Sequence, residues 1–127
     1  MDLSKLRYLE THEWADIQGG VCTVGITQHA VDQLTDVTHL QLPTVGTAVA
    51  AGKPFGEIES VKAVFDLNAP VSGAVAEVND AVRKDPAIIN ADPYDKGWMI
   101  KIKMSDSKLD HLLTLEQYQK QIASEGH

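Results

Sequence analysis

Cysteine, aromatic residues and positive charge are scarce in this chain, and each scarcity excludes something. One cysteine, Cys22, occurs in 127 residues, so no disulfide can form within the chain. Cys22 falls in the alternating run Cys22, Val24, Ile26 and reads as a small buried hydrophobe rather than a redox thiol. Aromatics make up 6%, and 11 Lys and Arg face 18 Asp and Glu, a net charge of −7. With no basic stripe, nucleic acid and anionic membrane surfaces are excluded as partners. No apolar run approaches the roughly 20 residues that span a bilayer. Residues 1–8 lack the charged-then-apolar pattern of a secretory signal, so a cytoplasmic location is expected, the alternative being a precursor whose leader lies outside this sequence. No glycine-rich phosphate loop is present. The five histidines, His12, His29, His39, His111 and His127, show no zinc-ligand spacing along the chain. Ser60 stands two residues before Lys62, but a lysine beside a tight turn is solvated and does not serve as the base of a serine–lysine pair.

What is present is a succession of short strands. A length of 127 residues suits one core, and with no linker or repeat the expectation is a single domain over 1–127. Residues 12–17 and 21–26 flank Gln18-Gly19-Gly20, a hairpin signal. Thr27 is placed to cap a short helix over 28–34, and 37–42 reads as a strand ended by Pro43. Between about 42 and 80 the turn signals crowd together. Residues 55–59 and 64–69 read as strands, the second with Phe65, Leu67 and Ala69 on one face. Pro70 and Ser72-Gly73 turn the chain, and 74–79 runs back. Asp85-Pro86 reads as a helix start with proline at the first position. Trp98, Ile100, Ile102 and Met104 alternate with Met99, Lys101 and Lys103, a half-buried strand. A C-terminal helical segment over about 107–124 places Leu109, Leu112 and Leu113 on one face, and Thr114-Leu115-Glu116-Gln117 is a capping box that renews it. The spacing predicts a mainly β sandwich or flattened barrel.

Lys62 occupies the middle of this pattern. One strand enters at Gly56-Glu57-Ile58-Glu59 and another leaves at Val64, while Gly52 and Gly73 mark the outer turns. A lysine on such a tip, with no room for substrate around it, is usually only a solvated charge.

Glu59-Ser60-Val61-Lys62-Ala63 resembles the lipoyl-attachment motif of glycine cleavage H proteins. The surroundings resemble the family in the same order. They are His12-Glu13-Trp14, Thr23-Val24-Gly25-Ile26-Thr27, Leu42-Pro43 with Gly46, Gly52 with Pro54-Phe55-Gly56, Asn68 with Pro70-Val71-Ser72-Gly73, Val78-Asn79, Asn90 with Asp92-Pro93-Tyr94, and Gly97-Trp98. The resemblance covers about residues 8–118. Biotin carriers usually present Met-Lys-Met at the tip, and lipoyl domains of 2-oxoacid dehydrogenases Asp-Lys-Ala. Here the tip is Val61-Lys62-Ala63.

The resemblance implies a barrel-sandwich hybrid of the lipoyl/biotinyl type, with short flanking helices and a C-terminal helix. It implies lipoic acid in amide linkage to Lys62, and a carrier that is not itself an enzyme. An aminomethyl group would be loaded by a pyridoxal-phosphate glycine decarboxylase and taken by a tetrahydrofolate-dependent aminomethyltransferase. Dihydrolipoamide dehydrogenase would reoxidise the dithiol. A lipoate ligase or lipoyl transferase would modify the lysine, with Glu59 as its recognition handle. The family holds its loaded arm in a cleft, and the residues matching its two acids are Glu13 and Asp66. A monomer is expected, since a carrier must present its tip freely. The chain departs from the pattern at Gln33, where some relatives have histidine, at Thr35, where glycine is common, and at Gln41, where glutamate is common. The competing readings are a lipoyl relay supplying 2-oxoacid dehydrogenases through the same Lys62, an enzyme, which the missing nucleophile–base pair argues against, and an interaction module with Lys62 unmodified.

Overall fold

The computed structural model describes residues 2–125. Nine strands form two antiparallel sheets. In chain order they are β1 (Arg7–Tyr8), β2 (Glu13–Gln18), β3 (Val21–Ile26), β4 (Val37–Gln41), β5 (Ala48–Val49), β6 (Pro54–Ser60), β7 (Val64–Asn68), β8 (Gly73–Val78) and β9 (Ile100–Met104). The larger sheet runs β1-β2-β3-β9-β8-β5 and the smaller β4-β6-β7. Four α-helices accompany them among the described residues: α1 (Gln28–Leu34), α2 (Asp80–Lys84), α3 (Ala87–Ala91) and α4 (Leu115–Glu125). The fold is thus mainly β with short helices and a C-terminal helix. The main core draws on both sheets, with Val24, Ile100 and Ile102 from the larger and Leu40, Ile58 and Leu67 from the smaller. No described helix is long and apolar enough to cross a membrane.

Several motif residues are explained by packing in a second cluster built from Leu6, Tyr8, Trp14 and Tyr118. Trp14 is fully buried, and its indole N–H donates to the Pro93 carbonyl at 3.1 Å, which satisfies the one polar atom of the ring. Its ring lies against Gly25, where a Cβ would come within 2.6 Å of ring carbons. That contact is why the strand Thr23-Val24-Gly25-Ile26 carries a glycine in its interior.

Some sequence expectations fail locally. Residues 107–113 are not helical; helix α4 begins at Leu115. The backbone of Leu113 instead exchanges hydrogen bonds with Tyr8, N–H to O at 2.9 and 2.8 Å, and this β-bridge overrides the leucine spacing. The capping box does hold: the Gln117 N–H donates to Thr114 Oγ1 at 3.3 Å, and the Thr114 N–H to Gln117 Oε1 at 2.9 Å. Asp85 does not cap the next helix; Pro86 occupies the cap position of α3, without a side-chain bond. Helix α2, capped by Asn79, has only five residues, too few for a visible period. Met99, expected on the outer face, is buried. Phe65, expected inside with Leu67, is 52% exposed while Leu67 is 1% exposed. Strand β7 is the edge of the smaller sheet, and its first residues run out past the core.

Thr35 closes α1 with φ +60° and ψ −132°, a conformation that glycine adopts far more cheaply than threonine. The strain is held in place by Asn90, whose amide donates to the Thr35 carbonyl at 2.6 Å and accepts from the Val37 N–H at 3.0 Å. Relief of about 1–3 kcal/mol of strain is partly offset by the entropy glycine loses on folding. Thr35→Gly should therefore stabilise by about 1 kcal/mol, a rise of roughly 4 °C in Tm. A thermal melt with unchanged or lower Tm would show that Thr35 is unstrained.

Candidate functional site

The β6–β7 hairpin presents Val61 and Lys62 as its two-residue tip. In the register Glu59 faces Val64, Ile58 faces Phe65 and Glu57 faces Asp66. Gly56 lies so close to β4 that a Cβ there would meet the Gln41 carbonyl oxygen at 2.1 Å, so the hairpin is clamped to its neighbour.

Ser60 organises the turn. Its N–H donates to the Ala63 carbonyl at 2.8 Å. Its hydroxyl oxygen accepts from the N–H of Lys62 at 3.1 Å and of Ala63 at 3.2 Å. Ser60 is itself buried. The Val61 N–H donates to the Asp36 carbonyl at 3.1 Å, outside the hairpin. These bonds satisfy the tip's backbone and leave the Lys62 side chain exposed and without an ion pair among the described residues. Ser60 thus has a role the sequence reading missed. Its position two before the lysine in a tight turn was the available signal, since serine hydroxyls commonly accept N–H groups two or three residues ahead. Val61, Val64 and Phe65 around the tip are more than half exposed. Glu59 is exposed on β6, opposite His39 on β4.

Below the tip lies a cleft of about 390 Å³ lined by both sheets and α1. Its walls include Ile26, Ala30, Leu34, Ile58, Phe65 and Leu67, and its polar lining includes both Glu13 and Asp66. A strand advances about 3.3 Å per residue, so the part of β7 that lines the cleft starts roughly 10 Å from the Lys62 Cα. Gln33 lines the same cleft and puts an amide there.

The two carboxylates are not equivalent. Asp66 is exposed. Glu13 is 1% exposed. One Glu13 oxygen accepts from the Thr11 hydroxyl and the other from the Asn68 N–H at 2.7 Å. Both donors are neutral, and no cation pairs with Glu13 among the described residues. Burial raises the Glu13 carboxyl above the ordinary range, against the pull of Thr11 and Asn68. A group whose folded pKa is raised contributes its full stability below the unfolded value, here near 4.5. That contribution is lost as pH rises through the folded value. Glu13→Gln keeps the shape without the charge, its amide turned to accept from Asn68 and donate to Thr11. The Tm advantage of the Gln variant should therefore grow as pH rises from about 4 to 7. Parallel Tm–pH curves for the two proteins would remove the shift.

Cys22 is fully buried, and burial pushes its thiol up to about 12; it is inert, as expected.

The chain matches the sequence profile of the family described as Glycine cleavage H-protein over residues 6–125. The glycine cleavage system H protein of Alcanivorax borkumensis is 48% identical over 96% of each chain, and that of Rubrobacter xylanophilus 49% identical over 94% of each. The mitochondrial glycine cleavage system H protein 2 of Arabidopsis thaliana is 46% identical over 93% of this chain and 76% of its own. The crystal structure of a glycine cleavage system H protein from Mycobacterium marinum superposes with a TM-score of 0.88 at 43% identity, covering 94% of this chain and 98% of that one.

Proposed function

The chain belongs to the glycine cleavage H-protein family, and from that membership we infer that it works as the lipoyl-bearing shuttle of the glycine cleavage system, with Lys62 as its attachment residue. The observation that carries the assignment of Lys62 is the tip itself, an exposed lysine on a turn whose backbone is fixed by Ser60 and Asp36. Such a lysine can enter a ligase active site in a reproducible pose. Once bound there as an amide, the lipoyl group supplies a dithiol that carries an aminomethyl group between enzymes. Glu59, exposed three residues before the lysine, is the recognition contact for the lipoate ligase or lipoyl transferase.

The cleft fits the arm on chemical grounds. Amide formation removes the lysine charge, and a neutral arm settles on the apolar walls at little desolvation cost. Water excluded by those walls is water that cannot hydrolyse the cargo. The cargo's amine is a cation and needs an acceptor. Glu13 is a buried carboxyl bonded only to neutral donors, so it offers a charge-assisted hydrogen bond; Asp66 adds a second, solvent-screened charge at the rim. The protein performs no chemistry of its own in this reading. Its partners are the glycine decarboxylase, the aminomethyltransferase and dihydrolipoamide dehydrogenase, met one at a time by a monomer in the cytoplasm.

The test is the intact mass of the native chain and of Lys62→Arg after incubation with lipoate ligase, ATP and lipoate. A lipoyl-sized increment on the native chain alone is expected. An increment on the variant, or none on either, overturns the attachment site.

A further inference from the structure

Away from the lysine tip, three potential ligands meet that the chain keeps far apart. They are His12 in the turn before β2, His29 in α1 and Glu125 at the end of α4. One ligand atom from each lies within 4.8 Å of the others. The Nε2 atom of His29 is buried and has no hydrogen-bond partner among the described residues. Such a buried nitrogen is costly unless something binds it. The Nε2 atom of His12 is 3.2 Å from Glu125 Oε1, and the two imidazoles lie 4.8 Å apart between ring centres, tilted by 47°.

We propose that His12, His29 and Glu125 form a binding site for one zinc-type divalent cation. Two neutral imidazoles and one carboxylate are a zinc donor set, with ligand bonds of about 2.0–2.2 Å and a fourth position left to water. Tetrahedral ligands on such bonds stand roughly 3.4 Å apart, so side-chain adjustments of about an ångström close the site. Glu125 can make them, since its side chain is 38% exposed.

The groups behind the ligands are already those a metal site uses. His12 Nδ1 is 2.7 Å from the Tyr118 hydroxyl, which is in turn 2.7 Å from Thr27 Oγ1. With the metal on Nε2, Nδ1 keeps its proton and donates to Tyr118, whose own proton goes to Thr27. That chain fixes the tautomer and the ring orientation. The other Glu125 oxygen accepts from the Gln121 amide at 2.5 Å. Any proton on Nε2 of His12 leaves to solvent when the metal binds.

Occupancy would pin the last turn of α4 to two walls of the cleft. His12 itself lines it, and His29 shares α1 with the lining residues Gln33 and Leu34. The site does not depend on the lipoyl arm.

The experiment uses the untagged, lipoylated full chain with its arm oxidised, so that the dithiol offers no thiolate. After chelator treatment the protein is titrated with Zn²⁺ by calorimetry, and its Tm is followed. One equivalent should bind, with a rise of roughly 10 °C in Tm at a hundredfold excess over Kd. Binding should vanish in His29→Ala and in Glu125→Gln, and persist in His39→Ala. The Tyr118 ring stacks on Tyr8 with centroids 4.8 Å apart; Tyr118→Phe should keep that stack but weaken binding about 10- to 100-fold. The variants' Tm values in chelator, close to that of the native chain, establish that they fold. Absence of stoichiometric binding, or full binding by His29→Ala, overturns the site and leaves a His12–Glu125 pair beside a water-bonded His29.

Discussion

Lys62→Arg should fold as the native chain does and support no glycine cleavage above the level measured with the protein left out. Lys62 makes no ion pair among the described residues, and the turn around it is held by backbone groups and the Ser60 hydroxyl. Replacing its exposed side chain should change stability by less than about 0.5 kcal/mol. The functional loss is nonetheless complete, because it is chemical. A lysine can shed its proton and form an amide, whereas a guanidinium stays protonated at any pH the protein survives. The measurement is glycine-dependent CO₂ release in a system rebuilt from the other enzymes, with Tm taken alongside. Turnover by a folded Lys62→Arg chain would refute the site. A variant that fails through unfolding would be recognised by its melt.

The second large effect concerns the lifetime of the cargo. In the double variant Glu13→Gln with Asp66→Asn, the aminomethyl cargo should decay about 10- to 150-fold faster than in the native protein. A charge-assisted hydrogen bond contributes about 1.5–3 kcal/mol, and each 1.36 kcal/mol is tenfold in rate. Most of the loss should come from Glu13, because it is buried, whereas the exposed Asp66 is screened by water. The amide replacements preserve packing, so lipoylation should be unaffected. Loading the lipoylated variants and following release of the cargo with time separates the two contributions. An unchanged lifetime in the double variant would remove both carboxylates from the arm-holding role, while leaving Lys62 untouched. A lifetime governed by Asp66 alone would locate the amine at the rim rather than beside Glu13.

Much of the fold was legible because its signals are short-range. Gly19-Gly20 joins β2 to β3 as the turn chemistry predicts, and Thr27 caps α1 through the Ala30 N–H. The alternation of Ile100, Lys101 and Ile102 matches the burial of β9. The elements that escaped are those whose conformation is set from elsewhere in the chain. Leucines 109, 112 and 113 have helical spacing, yet Leu113 pairs with Tyr8. Phe65 keeps the strand alternation, yet it lies on the wall of the open cleft, 52% exposed. Met99 falls on the solvent face by alternation, yet it is fully buried, which periodicity alone does not foresee.

By itself, the sequence determined the order of strands and turns, the tip at Lys62 and, through motifs in register along the chain, the family. Those follow from local backbone preferences and residue identity, which the chain carries wherever it folds. Tertiary structure decided the environment of each side chain. The neighbours of Glu13 and Lys62 in sequence give no sign that one carboxylate is sealed against Thr11 and Asn68 while the lysine stands in water. Nor does any spacing bring His29 to Glu125. Burial and long-range proximity depend on which surfaces the two sheets and α4 cover. That outcome is set by packing the whole chain at once, and it is what turns an acidic residue into a cleft carboxyl and distant histidines into neighbours.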